Sequence, residues 1–196
     1  MSRGFKSTVS STKDRLAEEA ARQFAQKGYH GTSIGDLAGA LGLHKSSVYT
    51  HIEGKEHLLA QIALAGSRSF HDGLDALPST AGPGDKLRLA LRSHLRTVAG
   101  QIGVAVIWLH EWRHLTGEAR EEFLTRRRIY EQRIRGLFEE AVRAGDLAPD
   151  LDVKRATLIY LSVANWAYTW LRPEDQIDST ADSLWESLVV SWRSPS

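Results

Sequence analysis

The stretch from Thr32 to Lys55, T-S-I-G-D-L-A-G-A-L-G-L-H-K-S-S-V-Y-T-H-I-E-G-K, limits the fold more than any other part of the chain. Ile34, Leu37, Ala38 and Leu41 recur at helical spacing, Gly42 interrupts them, and a second short segment runs from His44 to Ile52 before Gly54 breaks it. Helices this short do not persist alone in water, so the pair must be held by packing. Ala38, Leu41, Leu43 and Val48 are placed to bury against one another. Thr32 or Ser33 caps the first segment. That leaves His44, Lys45, Ser46, Ser47, Tyr49, Thr50 and His51 on the outer surface of the second. Two short helices about a tight turn, the second offering hydrogen-bonding side chains of moderate length, form a helix-turn-helix suited to a major groove. Thr32 and Ser33 belong to the same DNA-facing set. Lys55, at the start of the next helix, is placed to hold a phosphate together with the helix amides. The alternative is an ordinary helical hairpin with a polar surface.

The flanking sequence is also helical. Leu16, Ala20 and Phe24 repeat every four residues from Thr12 to Tyr29, with Thr12 as a cap and Gly28 as the stop. A long helix follows from Lys55 to Leu77, then a loop from Pro78 to Gly84. Helical patterns fill 85–101, 103–115, 118–145, 152–171 and 175–193, with breaks at Gly103, Gly117, Gly145/Pro149 and Pro173. No segment alternates with a period of two. The expectation is an all-α chain of about nine helices.

Composition is that of a globular chain, 42% hydrophobic and 25% charged. No apolar run approaches a membrane span, the polar Met1–Ser11 has no secretory pattern, and a cytoplasmic address is expected. There is no cysteine, which excludes disulfides, thiolate metal sites and a cysteine nucleophile. Residues 1–55 carry eight Lys/Arg against five acids, and the remainder 17 against 19. A basic first part suits a polyanion. All six tryptophans (Trp108, Trp112, Trp166, Trp170, Trp185 and Trp192) lie in the later part, whereas the first part is built from small residues. Two domains with different cores are expected, 1–55, the part suited to DNA, and 56–196, joined within the long helix.

The residues from 12 to 60 resemble the DNA-binding domain of the TetR family of transcriptional repressors. The resemblance rests on Phe24, Gly28, Tyr29 and Thr32, on the I-x-x-L-A of Ile34–Ala38, and on Gly42, Tyr49, His51, Lys55 and Leu58. Ile52 stands where the family usually has an aromatic residue, and His44-Lys45-Ser46-Ser47 lacks a common glycine. The resemblance implies three helices for DNA and six for dimerisation and ligand. It also implies homodimers on palindromic double-stranded operators, released by a small-molecule effector. The C-terminal part is similar to TetR-type regulators that sense acyl-CoA thioesters in fatty-acid or steroid breakdown. That similarity lies at Trp108–Trp112, Arg127–Glu131, the A-G-D-L of 144–147 and the W-x-x-x-W-x-R-P of 166–173.

Trp108, Trp112, Tyr130, Arg133, Asn165 and Trp166 are the candidate ligand residues, because tryptophans beside arginines suit an acyl chain with an anionic head. The alternative is that the tryptophans are core and the arginines a solvated face. Trp170, Leu184, Trp185, Leu188 and Trp192 lie on helices apolar nearly all round, and are the candidate dimer interface. Residues 110–114 spell H-E-W-R-H, the zinc-peptidase pattern, which would set His110 and His114 on one helical face with Glu111 as base. The third ligand position of the longer pattern holds Arg120, which has no lone pair to give. Glu118 or Glu122 would have to complete a site. A metallohydrolase and a ligand-independent DNA-binding protein are the competing readings; neither catalysis, metal nor cofactor is expected.

Overall fold

The computed structural model describes residues 11–172 and 176–193, and among them every regular element is helical. The elements are α1 (Thr12–Lys27), α2 (Ile34–Ala40), α3 (Lys45–Val48), α4 (Lys55–Asp75), α5 (Pro83–Gly100), α6 (Ile102–Leu109), α7 (Gly117–Ala144), α8 (Val153–Trp166) and α9 (Ile177–Val189). Two 3-10 turns, Glu111–His114 and Ala167–Thr169, follow α6 and α8. None of these helices is long and apolar enough to cross a membrane. Pro173, expected to break a helix, lies outside the described residues, as does Met1–Ser10 of the polar start.

Local chemistry sets the ends. Ser11, rather than Thr12, caps α1: its hydroxyl accepts the Asp14 amide at 3.1 Å, and the Asp14 carboxylate accepts the Ser11 amide in return. Ser33 and Asp36 form the same box at α2. Gly28 and Gly145 end α1 and α7 at positive φ, where a side chain would be strained. The expected break at Gly103 falls instead at Gln101. Gly103 lies inside α6, where a Cβ would come within 2.9 Å of the Ala21 carbonyl oxygen of α1. The glycine is there for close backbone packing.

This contact changes the expected division into two cores. The buried apolar residues run as one continuous cluster from Leu16 of α1 to Trp192. α1 lies on α4 and α6, α5 and α7 pack on α4, and α8 and α9 close the far side. Arg92 and Arg96 of α5 bind Asp182 and Asp178 of α9, with Nε–oxygen distances of 2.7 and 2.8 Å. His94 is fully enclosed beside Phe70 and shares a 3.0 Å hydrogen bond with the Tyr130 hydroxyl. Burial holds its pKa down at about 3.

Two outcomes follow. Gly103→Ala should lower stability by about 1–3 kcal/mol through overpacking, although alanine is the better helix former. Thermal unfolding reads this, and an unchanged or raised Tm would refute the close contact. His94 is neutral in the folded chain, while in the unfolded chain it takes up a proton as pH falls through its ordinary value of 6.5. Its contribution is therefore full above pH 6.5 and lost progressively toward pH 3. Relative to His94→Gln, the parent should lose stability on acidification at up to about 1.4 kcal/mol per pH unit. Parallel denaturant titrations from pH 7 to pH 4 measure the difference.

Candidate nucleic-acid interface and ligand cavity

α3 exists because Val48 is buried. Its four residues form one turn packed on α2, and Val48 is fully enclosed. The turn before it uses Gly42 at φ +66° and a 2.8 Å bond from the Leu43 amide to the Ala38 carbonyl. The expected helix from His44 to Ile52 is therefore shorter, Lys45–Val48, followed by turns closed by bonds from Thr50 and His51 back to Ser47 and Val48. Tertiary burial of one residue, not helix propensity, fixes this segment. His44, Lys45, Ser46, Tyr49, Thr50 and His51 are exposed together, and Ser47 is half-buried. Tyr49 stands with half its surface in solvent, 51%. Gly35, Gly39 and Ala40 of α2 are exposed beside them, small enough for close approach of a phosphate backbone. Helical spacing could have found them, since they lie opposite the buried Ile34, Leu37 and Ala38.

Three members of the expected DNA-facing set are committed elsewhere. Thr32 is buried, and its hydroxyl donates to the Gly28 carbonyl at 3.1 Å. Ser33 is engaged in its capping box. The Lys55 ammonium donates to the carbonyls of Tyr29 at 2.7 Å and Thr32 at 3.0 Å, and lies 4.1 Å from the Tyr29 ring centre. In this structure Lys55 closes the α1–α2 loop, because the loop carbonyls meet it before any phosphate does.

A cavity of about 250 Å³ lies between α6, α7 and α8, lined by Trp108, Arg127, Tyr130, Glu131, Leu158, Leu161, Ser162 and Asn165. The structure thus brings together Trp108, Tyr130 and Asn165 of the expected ligand set. Trp112 stands next to it, stacked on Phe123 at 5.7 Å with Arg127 5.4 Å from its ring centre. Arg133 is elsewhere, bound to Asp75 at 2.6 Å, because six residues along α7 turn it away from Arg127. Trp166 is 61% exposed and edges on Tyr168. Arg127 was missed as a cavity residue, although its spacing from Tyr130 and Glu131 places all three near one face. Burial lowers its pKa, opposed by the Glu131 carboxylate, and among the described residues it forms no ion pair. A larger cleft of about 450 Å³ beside Gly84 and Trp185 is rimmed by Asp85, Arg88, Asp146 and Glu186.

The expected pairing residues divide. Trp185 and Trp192 belong to the chain's own core: Trp192 packs edge-on against Phe138 at 5.3 Å and beside Trp185 at 6.3 Å. Leu184 and Leu188 are half-buried, and Trp170 is 42% exposed. Besides Tyr49, the exposed large apolar side chains among the described residues are Ile129 of α7, Leu158, Ile159 and Trp166 of α8, Trp170 and Val190. Ser179, Ser183 and Ser187 of α9, continued by Ser191 just beyond its end, make one row whose hydroxyls donate to carbonyls three or four residues earlier.

The H-E-W-R-H segment leaves the α-helix after Leu109, at His110 with φ −126° and ψ −55°. The expected common face for the two histidines does not form. The His110 ring meets the Tyr168 hydroxyl at 2.5 Å, His114 stacks on Tyr29, and Glu111 accepts the Tyr29 amide at 2.7 Å. No group of three or more metal-ligating side chains occurs among the described residues.

Residues 16–62 match the family described as bacterial regulatory proteins, tetR family, and residues 80–188 match the tetracyclin repressor-like C-terminal domain. PfmR from Thermus thermophilus, a TetR family transcriptional regulator, is 31% identical with a TM-score of 0.83, covering 92% of this chain and 97% of its own. AibR, solved with isovaleryl coenzyme A and operator DNA, is 28% identical with a TM-score of 0.79, covering 91% and 98%. The HTH-type transcriptional repressor KstR2 of Mycobacterium tuberculosis is 26% identical over 174 residues, 84% of each chain. These are DNA-binding regulators rather than enzymes, and nothing in them favours the peptidase reading of residues 110–114. With both parts of its length matched and its helices in the same arrangement, the chain belongs to the TetR family of transcriptional regulators.

Proposed function

We propose that this chain is a homodimeric, cytoplasmic repressor that leaves a palindromic operator when an acyl-CoA or similar apolar, anionic effector enters the α6–α7–α8 cavity. The observation that carries the reading is the exposed polar row from His44 to His51, seated on a buried Val48. Lys45 supplies charge for a phosphate, and Tyr49 supplies a flat apolar ring with a hydroxyl at its edge, suited to base edges and methyl groups. AibR, similar over 91% of this chain, supports the effector class, because it was solved with a short branched acyl-CoA and DNA. The cavity supports it too. About 250 Å³ accommodates a short acyl group, with Trp108 and Leu161 as apolar walls and Arg127 and Asn165 as polar ones.

Pairing of two copies rests on the α8–α9 face. Leu158, Ile159, Trp166 and Trp170 leave apolar area uncovered. The serine row on α9 lets a second helix approach closely, since its hydroxyls are already satisfied. A symmetric pair sets two reading heads on one face of a duplex, as a palindrome requires.

Lys45→Ala and Tyr49→Ala should each weaken operator binding by about tenfold or more while leaving Tm within about a degree, since both side chains are exposed. Fluorescence anisotropy on the chain's own promoter region measures this; unchanged affinity in both variants would move the reading surface elsewhere. The parent complex should lose affinity steeply with salt. Isovaleryl-CoA, the probe suggested by AibR, should release the DNA. If a panel of acyl-CoA thioesters of increasing chain length leaves the complex intact, the effector class is wrong.

A further inference from the structure

We propose that residues 110–114, H-E-W-R-H, form the joint by which the cavity sets the reading head, with Glu111 as the residue that positions it. This rests on the reading of the α6–α7–α8 cavity as the effector site. The zinc-peptidase spacing then has a different physical use: its polar groups are spent on joining two parts of the molecule.

Tyr29 is the residue that the joint holds. Its amide lies beyond the end of α1, where no helical carbonyl accepts it. The acceptor comes from 82 residues away, the Glu111 carboxylate at 2.7 Å. That bond is charge-assisted, and the Glu111 side chain is only 15% exposed, so water competes poorly for it. Tyr29 is held on its other sides as well. Lys55 takes its carbonyl at 2.7 Å and lies over its ring, and His114 stacks on the ring at 5.1 Å and 15°. Phe24 of α1 packs on its edge at 5.4 Å. One residue between α1 and α2 is thus gripped by the turn after α6 and by the start of α4. Glu56 of α4 adds a bond from the Thr116 hydroxyl.

The other side of the same turn packs on α7 beside the cavity. Trp112 stacks on Phe123 and lies under Arg127, whose side chain lines the cavity wall. His110 is held by Tyr168 and by Arg113. Trp112 and Glu111 are adjacent in a 3-10 turn, a conformation with poorer hydrogen bonds than the α-helix. A ligand with an anionic or carbonyl oxygen competes with the Trp112 face for Arg127. When Arg127 turns to the ligand, Trp112 keeps only the more distant Arg120, 6.0 Å from its ring centre, and the turn re-seats. Glu111, one residue away, then lets go of the Tyr29 amide. α2 and α3 move with the loop, because the α1–α2 loop carries them.

The test uses the full-length protein and two variants, Glu111→Ala and Glu111→Gln; the amide oxygen of glutamine still accepts from Tyr29. Hydrogen exchange at the Tyr29 amide is followed by NMR beside operator affinity and Tm. Glu111→Ala should speed exchange at Tyr29 and weaken operator binding, each by about tenfold. Glu111→Gln should restore most of both, which a general loss of packing would not do. In the parent, isovaleryl-CoA should speed Tyr29 exchange, and in Glu111→Ala it should add little. Unchanged exchange or unchanged operator affinity in Glu111→Ala overturns the role of Glu111. A probe that releases the operator while Tyr29 exchange stays constant overturns the joint as the route. The Glu111 arm needs no effector: a parent that ignores the acyl-CoA overturns the cavity reading and the Arg127 link, while Tyr29 exchange still decides for or against Glu111.

Discussion

The approach of α1 to α6 at Ala21 and Gly103 is the constraint on which the rest depends. No side chain stands between the two backbones, and a Cβ on Gly103 would be 2.9 Å from the Ala21 carbonyl oxygen. Contact that close makes the first helix part of the same packed body as the tryptophan-rich helices. It also brings the end of α6 and the turn after it beside the loop that leaves α1. Tyr29, Lys55, Glu111 and His114 can meet only because that approach has been made. The stability of the reading head is then drawn from the whole core and not from three short helices, which could not bury enough surface alone.

Val48 carries that logic to the surface. α3 is one turn long, and nothing in its own sequence would hold it helical. Enclosing one β-branched side chain pins the turn and fixes the directions of the exposed Lys45, Ser46 and Tyr49. A rigid platform of this kind loses little side-chain and backbone freedom on meeting a duplex, which favours affinity without added contacts.

Much of this was legible in the residues. The repeat of Leu16, Ala20 and Phe24 marks the buried face of α1, and the glycine at 28 and Ser33, one of two candidate caps, mark ends that the structure confirms. Periodicity says which side of a helix is apolar; it does not say what covers it. Trp185 and Trp192 turned out to fill their own core, while Trp166 and Trp170 remained outside, although all four lie on equally apolar stretches. Lys55 looked available for a phosphate because its acceptors, Tyr29 and Thr32, are 26 and 23 residues distant in sequence. α6 gave no register at all, since Ile102–Leu109 is apolar on nearly every side, and so the end of the helix at His110 was invisible. Two histidines four apart share a face only while the helix continues; here separate partners, Tyr168 and Tyr29, take them in different directions.

α8 bears on both halves of the proposed function at once. Leu158, Leu161 and Asn165 line the cavity, while Leu158, Ile159 and Trp166 are exposed on the uncovered apolar face. Leu158 belongs to both, 67% exposed in the single chain and yet part of the cavity wall. If a second copy covers that face, it also narrows the mouth of the cavity, and an entering acyl group has to work against the pairing surface. Ligand entry and the setting of two reading heads are then coupled at both ends of the cavity: through α8 to the partner, and through Arg127 and Trp112 to Tyr29. Such a layout needs no large motion. Interfaces and packed cores switch between discrete arrangements rather than deforming smoothly, so a small displacement of α8 and of the turn at 110–114 is enough to change the distance between two short recognition turns.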